Sequence, residues 1–73
     1  MHYEIKFLCN NDLYSITLEI PNIIYSEKTI EQRDNLISIC IDAEKKECDI
    51  AEYPHTIVSM KKSEDKIHWI EMI

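Results

Sequence analysis

The chain has 73 residues, fourteen acids against eight bases, and a formal net charge of −6. A chain this short buries only about 60% of the surface it exposes when unfolded, so its core is one layer of side chains thick. It contains no glycine, which argues against phosphate-cradling loops and glycine-rich nucleotide fingerprints, and its negative charge repels phosphate backbones and opposes direct nucleic-acid binding.

No apolar run approaches the ~20 residues that span a bilayer. The opening Met1-His2-Tyr3-Glu4 does not read as a signal peptide. Three cysteines, none in a Cys-x-x-Cys pair, suit a reducing interior better than a disulfide scaffold. The expectation is a single domain over 1–73, cytoplasmic, with no membrane contact. Isoleucine supplies most of the core, with fourteen Ile against one Val; Phe7, Leu8, Leu13, Leu18, Leu36, Met60, Trp69 and Met72 add bulk.

Taken in chain order, Tyr3, Ile5, Phe7 and Cys9 alternate with polar residues, as do Tyr14, Ile16, Leu18 and Ile20. A period of two puts one face on a core and the other in water. Asn10-Asn11-Asp12 between these runs predicts a hairpin, since Asn and Asp tolerate left-handed backbone angles and stand in for the missing glycine. Pro21-Asn22 and Arg33-Asp34-Asn35 read as further turns.

The middle of the chain supports two readings. Ile37, Ile39 and Ile41 alternate with Ser38, Cys40 and Asp42, and β-branched residues at period two favour a strand. Cys48, Ile50 and Tyr53 would form its partner. The same stretch can instead be wound as one helix over about 29–47, opened by a Thr29/Gln32 capping box. At the C-terminal end, 56–61 and 67–72 flank a polar turn at Lys62-Ser63-Glu64-Asp65 and predict a second hairpin. Turn signals every ten to twelve residues favour the strand reading. It gives an all-β antiparallel meander or barrel-like domain of six or seven short strands, and the helical alternative gives an α+β ββαββ domain. Lys61, Lys62 and Lys66 read as charges that discourage edge-to-edge pairing.

Chemistry-bearing residues are sparse. His2, His55 and His68 with Cys9, Cys40 and Cys48 lack the close ligand pairs of zinc sites. A Cys9–His68 nucleophile pair has nothing to position it, and Glu64 and Asp65 read as turn residues. No catalytic site, metal or cofactor is expected, and the chain is not read as an enzyme. The cysteines read as small buried or half-buried hydrophobes.

Between Glu27 and Glu52 stand eight acids and four bases. Asp42, Glu44, Glu47, Asp49 and Glu52, flanked by Tyr25 and Tyr53 as aromatic anchors, are the candidate partner-binding residues. They would form a surface complementary to a basic groove on a protein partner. The last strand carries apolar residues on both faces (Ile67 and Trp69, Ile70 and Met72), which points to a homodimer or a permanent partner.

In size, acidity and lack of catalytic motif, the chain resembles the small inhibitors encoded by phages and other mobile elements, anti-CRISPR proteins among them. The resemblance is one of type and covers no motif. It implies an acidic inhibitor or modulator that presents carboxylates where phosphates would sit. The alternative is a structural or accessory subunit that self-associates or joins a larger assembly.

Overall fold

The computed structural model describes residues 1–20 and 29–73. The Pro21-Asn22 turn, Tyr25 and the Thr29 capping side chain lie outside what is described. Among the described residues, four strands and one helix follow in the order β1 (His2–Cys9), β2 (Asp12–Glu19), α1 (Thr29–Glu47), β3 (His55–Ser63) and β4 (Ile70–Glu71). They build one antiparallel sheet of order β2-β1-β3-β4, with the helix on one face. This is the α+β, ββαββ arrangement. It overturns the all-β domain of six or seven strands and bears out the helical alternative.

The helix wins over 29–47 for a physical reason. A strand through Ile37, Ile39 and Ile41 would bury all three on one side. Instead Ile37 and Ile41, one helical turn apart, are buried, while Ile39 is 63% exposed. Arg33, Leu36, Cys40 and Glu44 are half-buried along the same stripe, the i, i+3, i+4 pattern of an amphipathic helix. Ala43 through Glu47 are good helix formers with no turn residue among them. Arg33-Asp34-Asn35 is therefore helix, not a turn, and Cys48–Tyr53 forms a turn rather than a strand.

The first hairpin forms as its alternation predicts. Tyr3, Ile5, Phe7 and Cys9 are buried under the helix together with Ile16 and Ile20; Tyr14 and Leu18 pack against them. Cys9 pairs with Asp12, so the loop is only Asn10-Asn11. Both residues have positive φ, 51° and 66°, as a two-residue type I′ hairpin requires. Phe7 stacks on Tyr14 with ring centroids 5.5 Å apart. Burial raises the pKa of Tyr3, while the Arg33 guanidinium, hydrogen-bonded to it, pulls the other way. That bond ties the helix to the start of β1.

Elsewhere the expectations need correction. Leu8 and Leu13 pair across the outer sheet face and stay exposed. Trp69 is half-buried in the β3–β4 loop, outside the core. β3 is internal and includes Lys61, Lys62 and Ser63, so those lysines protect no edge. The register sets Lys61 between Glu4 and Glu71, an opposite-charge row across three strands. A bulge at Val58, opposite the Lys6–Phe7 step, shifts the β1–β3 register. β4 is two residues long and leaves Ile67, Ile70 and Ile73 76%, 61% and 69% exposed. The two-sided burial expected of the last strand is absent.

The helix ends in a Schellman motif. The Ile50 amide donates to the Lys45 carbonyl at 2.8 Å and the Asp49 amide to the Lys46 carbonyl at 3.2 Å. Asp49 takes the left-handed position between them, φ 60°, where glycine is the usual residue. Its carboxylate also faces the negative end of the helix dipole. Asp49→Gly should therefore stabilise the domain by about 0.5–1 kcal/mol, raising Tm by roughly 2–8 °C. Thermal unfolding followed by circular dichroism checks this; an unchanged or lowered Tm contradicts the capping role.

Candidate functional site

Helical geometry sorts the acidic residues. At about 100° per residue, Glu44 and Glu47 fall on the flank of α1 that faces β2, beside Cys40 and Ala43. Asp42 lies on roughly the opposite side of the helix, exposed. Asp49 and Glu52 are exposed in the turn after the helix, and Tyr53 is exposed beside Glu52. The candidate residues thus do not form one patch: Glu44 and Glu47 share a flank, Asp42 stands apart, and Asp49 has a backbone role as the helix cap.

None of these carboxylates has an ion-pair partner among the described residues. The ion pairs among the described residues are His2–Glu19 at 3.9 Å, Arg33–Asp34 at 3.2 Å and His68–Asp65 at 2.7 Å. None involves Asp42, Glu44, Glu47, Asp49 or Glu52. Lys45 and Lys46 suit the last helical turn, but Glu44, Glu47 and Asp49 oppose the dipole there, a cost of about 0.3–1 kcal/mol each. The Cys48 thiol donates to Glu44 Oε1 at 3.6 Å. Partial desolvation and the Glu44 and Glu47 charges raise its pKa, so this exposed cysteine is a poor nucleophile.

Glu44 and Glu47 rim a groove of ≈ 410 Å³ whose other lining residues are Ser15, Ile16, Thr17, Cys40 and Ala43. β2 is an outer strand of the sheet, and the helix backbone approaches it more closely than it approaches the other strands. Sequence reading missed this groove because it needs the helix and the strand order together.

Lys45, His55 and Cys9 have structural partners. Lys45, 6% exposed, donates from Nζ to Nδ1 of His55 at 3.3 Å. His55 also meets Phe7 edge-on, centroids 5.7 Å apart. Cys9 is buried, and its thiol points to the Ile50 and Tyr53 carbonyls at 3.9 and 3.7 Å. Its cross-strand neighbour is His55, so the Cys9–His68 pair is not assembled. Cys9 is buried and Cys40 half-buried as expected, but Cys48 is exposed. No cluster of three or more metal-ligating side chains occurs among the described residues, and none of their helices is long and apolar enough to cross a membrane.

Asp65 organises the β3–β4 loop. Its Oδ1 accepts from the Ile67 and His68 amides, both at 2.8 Å, and from Ser63 Oγ at 2.9 Å. Nδ1 of His68 donates to Oδ2 at 2.7 Å. Bonds from the His68 ring, the two amides and Ser63 hold the Asp65 carboxyl well below the usual carboxylate range. A depressed folded pKa stabilises the loop above the unfolded value of about 3.9, and the contribution is lost as pH falls through the folded value. Asp65→Asn should speed exchange of the Ile67 and His68 amides at neutral pH. Wild-type rates for both in a hydrogen-exchange measurement on the variant would show that the carboxylate does not hold the loop.

No family model matches the chain, and neither the curated proteins nor the solved structures contain a significant match to it.

Proposed function

We propose that this chain is a small protein-binding domain that occupies a basic surface of a protein partner, acting as an inhibitor or modulator rather than as a catalyst. One observation carries the reading: acidic side chains gathered around the C-terminal end of α1 have no ion-pair partner among the described residues and stand where the helix dipole disfavours them. Helix stability does not account for that placement. A basic partner would supply the missing counter-charges and be steered to this end of the molecule. The described cysteines and histidines are engaged in packing or hydrogen bonds or, like Cys48, deactivated.

Affinity for the partner, captured from the native host and identified by mass spectrometry, should fall steeply as salt rises, because exposed charge contacts are screened within ~10 Å at 0.1 M. Replacing Asp42, Glu44, Glu47 and Glu52 by lysine should abolish binding, and a retained circular dichroism spectrum would confirm the fold. Asp49 is left in place because it caps the helix. Salt-independent affinity, or full binding by the quadruple variant, removes the charge mechanism.

A second reading is favoured by Ile67, Ile70 and Ile73, each exposed in or beside β4. There the chain is an accessory subunit that assembles through its apolar edge. Light scattering at rising concentration should then show self-association that Ile70→Lys prevents; a strict monomer removes self-association through this edge.

A further inference from the structure

The β1–β2 ladder fixes which backbone groups of β2 are free. Met1 and Ile20 exchange both hydrogen bonds, at 3.1 and 2.9 Å. In an antiparallel ladder such pairs alternate with non-bonded ones, and the β1–β2 register runs without a shift. Tyr3/Leu18, Ile5/Ile16, Phe7/Tyr14 and Cys9/Asp12 are therefore bonded pairs. The amides and carbonyls of Leu13, Ser15, Thr17 and Glu19 point away from β1, to the outer edge. Among the described residues no strand pairs with that edge. It is eight residues long, with no proline, lysine or bulge, the devices that usually blunt an edge strand. Ser15 and Thr17 open into the groove whose opposite rim carries Glu44 and Glu47.

We propose that the β2–α1 groove takes an extended segment of the partner, which adds to the sheet as a fifth strand beside β2 and sets basic side chains against Glu44 and Glu47. This rests on the basic-partner reading above and adds the mode of binding: main-chain bonds to Leu13, Ser15, Thr17 and Glu19 give affinity, and side chains at alternate positions give selectivity. Side chains at positions i and i+2 of the added strand share a face, so the segment carries basic residues at alternate positions facing α1. Charge selects this occupant over a second copy. Antiparallel β2–β2 pairing would set two helices on one face of a continuous sheet and bring their Glu44 and Glu47 side chains together. Like charges on two chains of net charge −6 oppose that.

The test uses the intact chain, isotopically labelled, with an alternating lysine–valine decapeptide as the probe. A control peptide is N-methylated on the backbone at alternate residues. On titration, the amides of Leu13, Ser15, Thr17 and Glu19 should gain about tenfold or more protection from exchange, while Tyr14, Ile16 and Leu18, already bonded to β1, change little. The N-methylated peptide should bind about tenfold or more weakly. Thr17→Pro, which deletes one outward amide at a position where an edge strand tolerates proline, should weaken binding similarly. So should Glu44→Lys with Glu47→Lys. Binding without edge protection, or equal binding of the N-methylated peptide, overturns strand addition while leaving charge-driven binding standing. Edge protection unaffected by the double lysine variant overturns the basic selectivity instead. Protection present before peptide is added, at any dilution, shows the edge already covered and overturns the proposal, and no binding of either peptide does so as well.

Discussion

Ile37 and Ile41 lie one turn apart on α1 and press into the row formed by Tyr3, Ile5 and Phe7 on β1. That contact is the centre of the interior, which Cys9, Ile16, Ile20 and Ile50 extend among the described residues, because a chain of this size has one layer to bury. The rest of the structure follows. The helix covers one face of the sheet and leaves the other to polar and mixed residues. Its length, fixed by the stripe from Arg33 to Lys45, carries the acidic C-terminal turns out beside β2. Its end is set by Asp49, which folds the chain back so that Ile50 joins the same core and the Cys9 thiol meets the turn. Removing the helix from this sheet would leave no buried side to either.

Much of this was legible in the residues. The first hairpin could be read from strict alternation and from two asparagines placed where the backbone must go left-handed, and Asp65 could be read as a turn residue. The helix over 29–47 was visible as a pattern but lost to β-branched alternation. Ile39 is the residue that misled: it sits at period two with its neighbours, yet faces water. A single exposed isoleucine cannot be told from a buried one by sequence, and the Thr29/Gln32 capping box and an uninterrupted run without proline or glycine were what weighed against the strand.

The candidate site was legible in composition and illegible in arrangement. Charge counting finds the acids between Glu27 and Glu52 but treats them as one face. Winding the helix separates Asp42 from Glu44 and Glu47, and the cap gives Asp49 a backbone duty. The groove itself depends on β2 being an outer strand, and strand order is a property of long-range pairing that no local pattern encodes. The terminal apolar residues likewise read as buried because their number suggested two packed faces; instead Ile67, Ile70 and Ile73 are exposed while Met72 packs against the core.

The sheet order also governs how the molecule assembles. β1 is central, held on one side by β2, its neighbour across two residues, and on the other by β3, which the chain reaches only after the whole helix. The local hairpin closes within microseconds, but closure of the long loop to β3 must come before its pairing energy is returned. Until β3 arrives, the edge of β1 opposite β2 is open, and its apolar row is shielded only by the helix. The topology therefore concentrates the loop-closure cost in the pairing of β1 with β3, and leaves that edge of the most hydrophobic strand as the one whose wrong pairing would do most harm.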